Sequence, residues 1–152
     1  MTQLTKFDKR LLNLIQTGLP LTSTPFADIG IKLGCDEATV LTRIAELKEH
    51  GVIRRFGAFF DAESLGYKGY LVAVRVDPQY LPDVAAAINL WSQVTHNDER
   101  DHCFNLWFTI QSRDTSEVGR LIDAVIEMPG VNEVISLPTT DRFKVNVEFQ
   151  VE

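Results

Sequence analysis

The spacing of apolar residues changes once along this chain, and the change separates two folding patterns. Before residue 62 the apolar residues recur at helical spacing, whereas strand-like and helix-like segments alternate after the turn-like Ser64-Leu65-Gly66. Because domains commonly run from about 50 to 200 residues, a chain of 152 residues has room for two small ones. We predict one domain over residues 1–62 and a second over residues 63–152.

Capping residues predict three short helices in the first domain. The N-terminal signals are Thr5 with Asp8, Thr24-Pro25 and Asp36, and the stop signals are Gly18, Gly34 and His50-Gly51. The second and third helices are joined by a short connection, and an extended run from Val52 to Phe60 follows the third. This order predicts a winged helix-turn-helix.

The second domain alternates strand and helix signals in the order βαββαβ. The predicted strands cover residues 70–76, 94–98 and 104–110 and a final extended stretch from 131 to 151, broken near Pro138; the predicted helices cover 81–90 and 115–127. In the final stretch, apolar residues alternate with polar ones from Phe143 to Val151, which is typical of a half-buried strand. The pattern predicts a ferredoxin-like domain, so the whole chain is of the α+β class.

Composition excludes several classes of protein. The chain is 45% hydrophobic and 24% charged, which favours a folded core over disorder. Its two cysteines, Cys35 and Cys103, lie far apart without metal-site spacing, so neither a disulfide scaffold nor a zinc site is indicated. No apolar run approaches the roughly 20 residues of a membrane span, and the N-terminus is polar, so we expect a cytoplasmic protein.

The charge distribution argues against DNA binding. The net charge is −6, and the first domain carries only a slight positive excess, with 8 basic residues against 7 acidic ones. The third predicted helix, where a helix-turn-helix protein would read bases, has Arg43 and Lys48 against four acidic residues: Asp36, Glu37, Glu46 and Glu49. We predict that this helix is structural.

The chain resembles the Lrp/AsnC family of transcription regulators over nearly its whole length. The resemblance rests on the domain order, on Phe7-Asp8-Lys9-Arg10-Leu11-Leu12 and on Gly51-Val52-Ile53. Further segments resemble one branch of that family, the sirohaem decarboxylases. They are Gly18-Leu19-Pro20-Leu21 with Pro25-Phe26; residues 51–58; His96-Asn97 through Arg100-Asp101-His102 to Asn105-Leu106-Trp107-Phe108; and Leu137-Pro138 with Arg142-Phe143-Lys144.

The resemblance to this branch implies a carboxy-lyase. Such an enzyme removes acetate carboxyl groups of sirohaem as CO2, without an oxidant, to give 12,18-didecarboxysirohaem. It implies no cofactor beyond the iron-containing substrate, and a dimer paired through its sheets, either with a paralogous subunit or with a second copy. One position departs from the family pattern, because Asp98 stands where the branch often has Tyr.

Substrate binding, on this resemblance, requires cations and flat apolar walls. Sirohaem carries eight carboxylates around its macrocycle, and arginine binds a carboxylate with two parallel hydrogen bonds. The candidate substrate-binding residues are Arg54, Arg55, Asn105, Trp107, Arg142 and Lys144, with Phe104 as a further wall. Each has an alternative interpretation as a solvated surface charge or an ordinary sheet residue.

The candidate catalytic residues are His96, Arg100 and His102. Decarboxylation leaves an electron pair for the ring system to accept and requires a proton at the former acetate carbon, and histidine donates protons near neutral pH. Either histidine has three open roles: to donate the proton, to lie near or bind the substrate iron, or to position carboxylates. A structural role is the alternative for each.

Two other functions remain open on the sequence. The first is an Lrp/AsnC-type regulator whose second domain binds an amino acid, which predicts salt-sensitive binding to duplex DNA. The second is an idle, pigment-binding subunit that supports a paralogous partner, which Asp98 suggests. It predicts pigment binding without turnover by this chain alone.

Overall fold

The computed structural model describes residues 3–58, 60–141, 143–144 and 148–152. The chain forms two compact units, one of residues 1–58 with 144–152 and the other of residues 59–143. Among the helices that the structure describes, none is long and apolar enough to cross a membrane.

The first unit contains three helices, α1 (Lys6–Ile15), α2 (Pro25–Leu33) and α3 (Glu37–Glu49). The predicted caps at Thr5 and Asp36 are confirmed, whereas Thr24 precedes Pro25 without a side-chain capping hydrogen bond. The Thr5 hydroxyl accepts a hydrogen bond from the Asp8 N–H at 3.2 Å, and the Asp8 carboxylate accepts one from the Thr5 N–H at 2.7 Å, which completes the capping box. Gly34 ends α2 in the left-handed conformation.

The core of the first unit lies where the inner faces of its three helices meet. Leu11 of α1, Ile29 of α2 and Val40 and Leu47 of α3 are all at most 2% exposed. The turn between α2 and α3 is tight, since a Cβ atom on Gly30 would lie 2.7 Å from the carbonyl oxygen of Cys35. The two helices of the helix-turn-helix therefore approach each other at a position that only glycine fits.

The second unit is the predicted βαββαβ domain. Its elements are β1 (Lys68–Val76), α4 (Leu81–Ile88), β2 (Val94–Glu99), β3 (Leu106–Ser112), α5 (Thr115–Ile126) and β4 (Val131–Pro138). The strands form one sheet in the order β2-β3-β1-β4, and each neighbouring pair is antiparallel. The prediction of the ferredoxin-like fold is confirmed, and with it the α+β class.

One face of this sheet carries the core, and the other is open. Buried side chains alternate along β3, with Leu106, Phe108 and Ile110 packed against apolar residues of α4 and α5. The intervening Trp107 and Thr109 point to the opposite face, because successive side chains of a strand alternate. Of the residues predicted for the site, Trp107 lies on this open face.

Two segments differ from the sequence prediction. The described residues of 52–60 carry no strand, so the run after the helix-turn-helix is irregular. No strand is present in the described part of 143–151 either: Phe143 is 98% and Phe149 is 70% exposed, while residues 145–147 lie outside the described residues. Residues 144–152 group with the first compact unit, and the backbone of Phe149 and Val151 bonds to the side chains of Gln16 and Asn13.

Candidate active site

The β2–β3 hairpin brings together five of the residues predicted for the site. His96 lies on β2, Arg100 and His102 in the connecting loop, and Asn105 and Trp107 at the start of β3. The loop is closed by backbone hydrogen bonds, from the Arg100 N–H to the Asn105 carbonyl and from the His102 N–H to the Arg100 carbonyl, both at 2.9 Å.

His96 lies beside two threonine hydroxyls. It pairs with Thr109 of β3, directly after a register shift between Val94 and His96. Its Nδ1 lies 3.2 Å from the Thr95 Oγ1 and 3.4 Å from the Thr109 Oγ1, and these two hydroxyls are 2.6 Å apart. A hydroxyl can donate or accept, so this pair supports His96 in either tautomer. The imidazole is exposed and free to meet a ligand.

His102 is oriented by the residues that follow it. Its Nδ1 accepts a hydrogen bond from the Phe104 N–H at 3.1 Å, and its ring stacks on Phe104 with centroids 6.2 Å apart. Because Nδ1 is the acceptor, the proton of the neutral ring lies on Nε2. The Cys103 sulfur lies 3.5 Å from Nδ1 and 3.7 Å from Nε2. The Nε2–H of this exposed ring is therefore left to donate a hydrogen bond to a ligand.

Arg100 lies at the tip of the hairpin with an acidic neighbour. One of its guanidinium nitrogens is 3.9 Å from the Asp98 carboxylate, and both side chains are more than half exposed. An ion pair of this length in solvent is weak and leaves the guanidinium able to bind another carboxylate. Asp98 is thus the neighbour of Arg100, a relation that the sequence analysis did not anticipate.

Trp107 lies on the open face of the sheet, opposite Asp98 on β2 and Ala73 on β1. Its Nε1–H donates to the Phe104 carbonyl at 2.7 Å, which fixes the ring plane. The ring is half-buried. This position is compatible with the predicted role as a flat wall for a macrocycle, which stays a prediction.

Asn105 has a structural role that the sequence analysis missed. Its Oδ1 accepts from the Val76 N–H at 2.9 Å, and its Nδ2 donates to the Val76 carbonyl at 2.8 Å. The paired register of β1 and β3 ends at Val74 and Leu106, so the amide extends the ladder by one rung. Both ends of the side chain are engaged with β1, and we do not include Asn105 among the residues proposed to bind substrate.

Three of the remaining predicted cations lie in the first unit. Arg54, Arg55 and Lys144 are exposed, and none of them forms an ion pair with a carboxylate of the described residues. Lys144 does not lie on a strand, although the sequence predicts an extended stretch from 131 to 151. Arg142 lies outside the described residues.

Helix α3 offers two cations, and one of them is engaged within the protein. The guanidinium of Arg43 binds the buried Asp8 carboxylate and also the Glu46 carboxylate. These hydrogen bonds lower the pKa of Asp8 far below its ordinary value and raise that of Arg43. Arg43 is therefore held in an intramolecular pair, and Lys48 is the one other cation of this helix.

Comparison with known proteins agrees with both units. Residues 8–54 match the family model described as the siroheme decarboxylase NirDL-like HTH domain, and residues 64–144 match that of the AsnC-like ligand binding domain. The siroheme decarboxylase alpha subunit of Desulfovibrio desulfuricans is 37% identical over 152 residues, which is 100% of this chain and 87% of that protein. The NirG subunit of Pseudomonas aeruginosa siroheme decarboxylase is 35% identical over 95% of this chain and 97% of its own length.

Solved structures divide into two groups. The siroheme decarboxylase NirDL, in co-complex with an iron-uroporphyrin III analogue, is 36% identical with a TM-score of 0.65, and the alignment covers 88% of this chain and 44% of that one. Escherichia coli AsnC superposes with a TM-score of 0.81 over 97% of this chain and 99% of its own, but at 15% identity, which shows the fold alone. The chain belongs to the siroheme decarboxylase family, within the AsnC-like proteins.

Proposed function

We propose that this chain is a subunit of a non-oxidative carboxy-lyase that removes acetate carboxyl groups from sirohaem. The observation that carries the proposal is the β2–β3 hairpin, which presents His96, Arg100 and His102 to solvent on one loop and strand. Two exposed imidazoles that flank a guanidinium combine proton donors with a carboxylate ligand.

The reaction balances without an external oxidant or a further cofactor. The bond between the acetate methylene carbon and its carboxyl carbon breaks, CO2 leaves, and the electron pair passes into the conjugated macrocycle. A proton from an imidazole then reaches the methylene carbon, which becomes a methyl group. The exposed imidazoles of His96 and His102 are the candidate sources in their doubly protonated form, since only that form gives up a proton near neutral pH.

Binding of the substrate would rest on cations that have no carboxylate partner in the described part of the chain. Arg54, Arg55 and Lys144 meet this condition, and Arg100 meets it nearly, since its one ion pair is long and exposed. A polycarboxylate ligand binds most favourably to cations that are hydrated, because its oxygens then replace water and no existing salt bridge has to be broken.

A partner subunit is part of the proposal. The relatives are named as subunits, and the open sheet face of the second unit carries apolar side chains exposed by more than a third: Leu71, Ile135 and Leu137. Such a face suits pairing with a related sheet. We place the complex in the cytoplasm, whose reducing conditions suit the free thiols of Cys35 and Cys103.

The test is anaerobic turnover of sirohaem by the purified chain, alone and with a co-encoded related subunit. The expected result is loss of two carboxyl groups by mass spectrometry, with kcat reduced roughly 100-fold or more in His96→Ala or His102→Ala. The matched control is His50→Ala, which removes the third histidine, at the C-cap of α3, and leaves the hairpin intact. Unchanged sirohaem in every combination, together with salt-sensitive binding of a specific duplex, would overturn the proposal in favour of a regulator.

A further inference from the structure

The two histidines of the β2–β3 hairpin differ in what surrounds their Nδ1 atoms. The Nδ1 of His102 lies 3.1 Å from the backbone nitrogen of Phe104, whose N–H can only donate a hydrogen bond. The Nδ1 of His96 lies 3.2 Å and 3.4 Å from the hydroxyl oxygens of Thr95 and Thr109, which can donate or accept. The two rings are therefore suited to different protonation states.

A β-bulge brings the two hydroxyls to His96. The register of β2 and β3 shifts between Val94 and His96, which makes Thr95 an extra residue on β2. In a regular strand neighbouring side chains point to opposite faces, but here Thr95 and His96 both reach Thr109. The two hydroxyl oxygens are 2.6 Å apart, within the range of an O–H···O hydrogen bond. We call Thr95 and Thr109 the threonine pair.

The threonine pair accommodates a doubly protonated His96. In that cation both ring nitrogens carry a proton, so Nδ1 has to donate. One hydroxyl can accept the Nδ1 proton while the pair keeps its mutual hydrogen bond, and the exposed side chain of Thr95 can pass the last proton to water. In the neutral ring with its proton on Nε2, the hydroxyls rotate and donate to Nδ1 instead. Nδ1 thus keeps a partner in each state, and Nε2 is left to meet a ligand.

A doubly protonated His102 has no comparable partner. Its Nδ1 proton would point at the Phe104 N–H, so charging the ring breaks the hydrogen bond that orients it. The Cys103 sulfur lies 3.5 Å from Nδ1, but sulfur is only a weak acceptor. This arrangement fits the neutral ring, whose Nε2–H donates a hydrogen bond and is not given up as a proton near neutral pH.

We infer that His96 is the proton donor of the proposed decarboxylation and that Thr95 and Thr109 are its positioning residues. Neutral His102 instead donates a hydrogen bond from Nε2 to a substrate carboxylate. The inference rests on the proposed function and divides its roles between the two histidines.

The step balances on His96 alone. The Nε2–H bond of its cation breaks, and a C–H bond forms at the methylene carbon with the electron pair that departing CO2 leaves behind. The ring becomes neutral with its remaining proton on Nδ1, where a hydroxyl of the threonine pair accepts it. The solvent then returns a proton to Nε2.

Replacement by glutamine separates the two roles. A glutamine amide can present an N–H near the position of the imidazole Nε2–H, but it does not give up a proton near neutral pH. We expect His96→Gln to lower kcat for sirohaem about 100-fold or more and His102→Gln to lower it by no more than about fivefold. His50→Gln is the matched control outside the hairpin. A loss of kcat in His102→Gln as large as that in His96→Gln would overturn the assignment.

The threonine pair is tested by removing its hydroxyls. The double variant Thr95→Val/Thr109→Val keeps the β-branched shape that strands favour. We expect kcat to fall about tenfold or more at unchanged KM, because Nδ1 of His96 loses its partners. Thr95→Ser/Thr109→Ser keeps the hydroxyls and should recover most of this loss, whereas a role in packing alone would favour valine over serine. Unchanged kcat in the valine variant would overturn the positioning role.

Nitrogen-15 NMR of the imidazole rings separates this inference from the proposed function, because it requires no sirohaem. We expect neutral His102 to carry its proton on Nε2 alone, and the Phe104 amide resonance to move as acid charges the ring. In the valine variant the ring nitrogens of His96 should shift while those of His102 stay unchanged. These signatures in a chain that turns over no sirohaem would contradict the proposed function and leave the hydrogen-bond assignment standing. A proton on Nδ1 of neutral His102, or a Phe104 amide that does not move, would overturn the inference even in an active enzyme.

Discussion

The carboxylate of Asp8, fully buried at the start of α1, is bound by the guanidinium of Arg43 from α3. The contact is bidentate, with N···O distances of 2.5 Å and 2.8 Å. The third guanidinium nitrogen of Arg43, Nη1, donates to the Glu46 carboxylate. This pair joins the first and third helices across the core of the unit. It also holds the one arginine of this helix in an intramolecular ion pair.

Replacement of Asp8 by asparagine should destabilise the first unit. The substitution keeps the size of the side chain but leaves the partly buried Arg43 with Glu46 as its only carboxylate, and breaking a buried ion pair costs roughly 3 kcal/mol. Urea unfolding followed by circular dichroism measures the change. The control is Asp36→Asn, where the loss should be a few tenths of a kcal/mol at most, about the difference between two good N-caps. Equal effects of the two variants would contradict the role assigned to Asp8.

The ion pair of Asp8 and Arg43 also makes the free energy of unfolding depend on pH. The hydrogen bonds from Arg43 hold the pKa of Asp8 well below its ordinary value of 3.8, so between the two values the unfolded chain binds a proton that the folded chain does not. The contribution is fully present above about pH 5 and is lost as the pH falls below 4 through the depressed pKa. The stability difference between wild type and Asp8→Asn should therefore shrink from pH 7 to pH 3. A constant difference across this range would assign the effect to packing.

The tight turn of the helix-turn-helix predicts opposite stability effects for alanine substitutions at two glycines, Gly30 and Gly119. A methyl group on Gly30 would lie 2.7 Å from the Cys35 carbonyl oxygen and 3.2 Å from the Asp36 carbonyl carbon, both backbone atoms that cannot rotate away. Gly30→Ala should cost about 2 kcal/mol despite its better helix propensity. On α5, Gly119 has no neighbouring atom within 4 Å of such a methyl group, so Gly119→Ala should stabilise by about 0.5 to 1 kcal/mol. Thermal unfolding of both variants measures the contrast.

Local signals in the sequence were sufficient to predict most of the fold. The capping box of Thr5 and Asp8, the left-handed Gly34 and the cap at Asp36 each depend on residues no more than four positions apart. For the same reason the order of strands and helices in the second unit was recoverable from hydrophobic period alone. The hairpin that carries His96, Arg100 and His102 is also local, so its residues were found together.

Contacts between distant residues were not recoverable in this way. Arg43 and Asp8 are 35 positions apart, and Asn13 and Val151 are 138 apart. The alternation of apolar residues after Phe143 predicts a half-buried strand. A period of two, however, indicates only an extended backbone and does not identify the partner that binds it. In the structure the side-chain amides of Asn13 and Gln16 bind the backbone of Val151 and Phe149, and Phe149 is 70% exposed.

Asn105 allows a structural role to be separated from substrate binding. Its amide is the partner of both backbone groups of Val76, which is 2% exposed, so Asn105→Leu leaves a buried N–H and a buried C=O without partners. The expected cost is about 2 kcal/mol in the free energy of unfolding, with KM for sirohaem unchanged at temperatures where the variant is folded. Asn132→Leu is the control: its Nδ2 donates to the Asp77 carboxylate in an exposed contact, and its loss should cost about 0.5 kcal/mol or less. A rise in KM for Asn105→Leu without loss of stability would return this residue to the substrate-binding set, because the amide would then act on the ligand and not on β1.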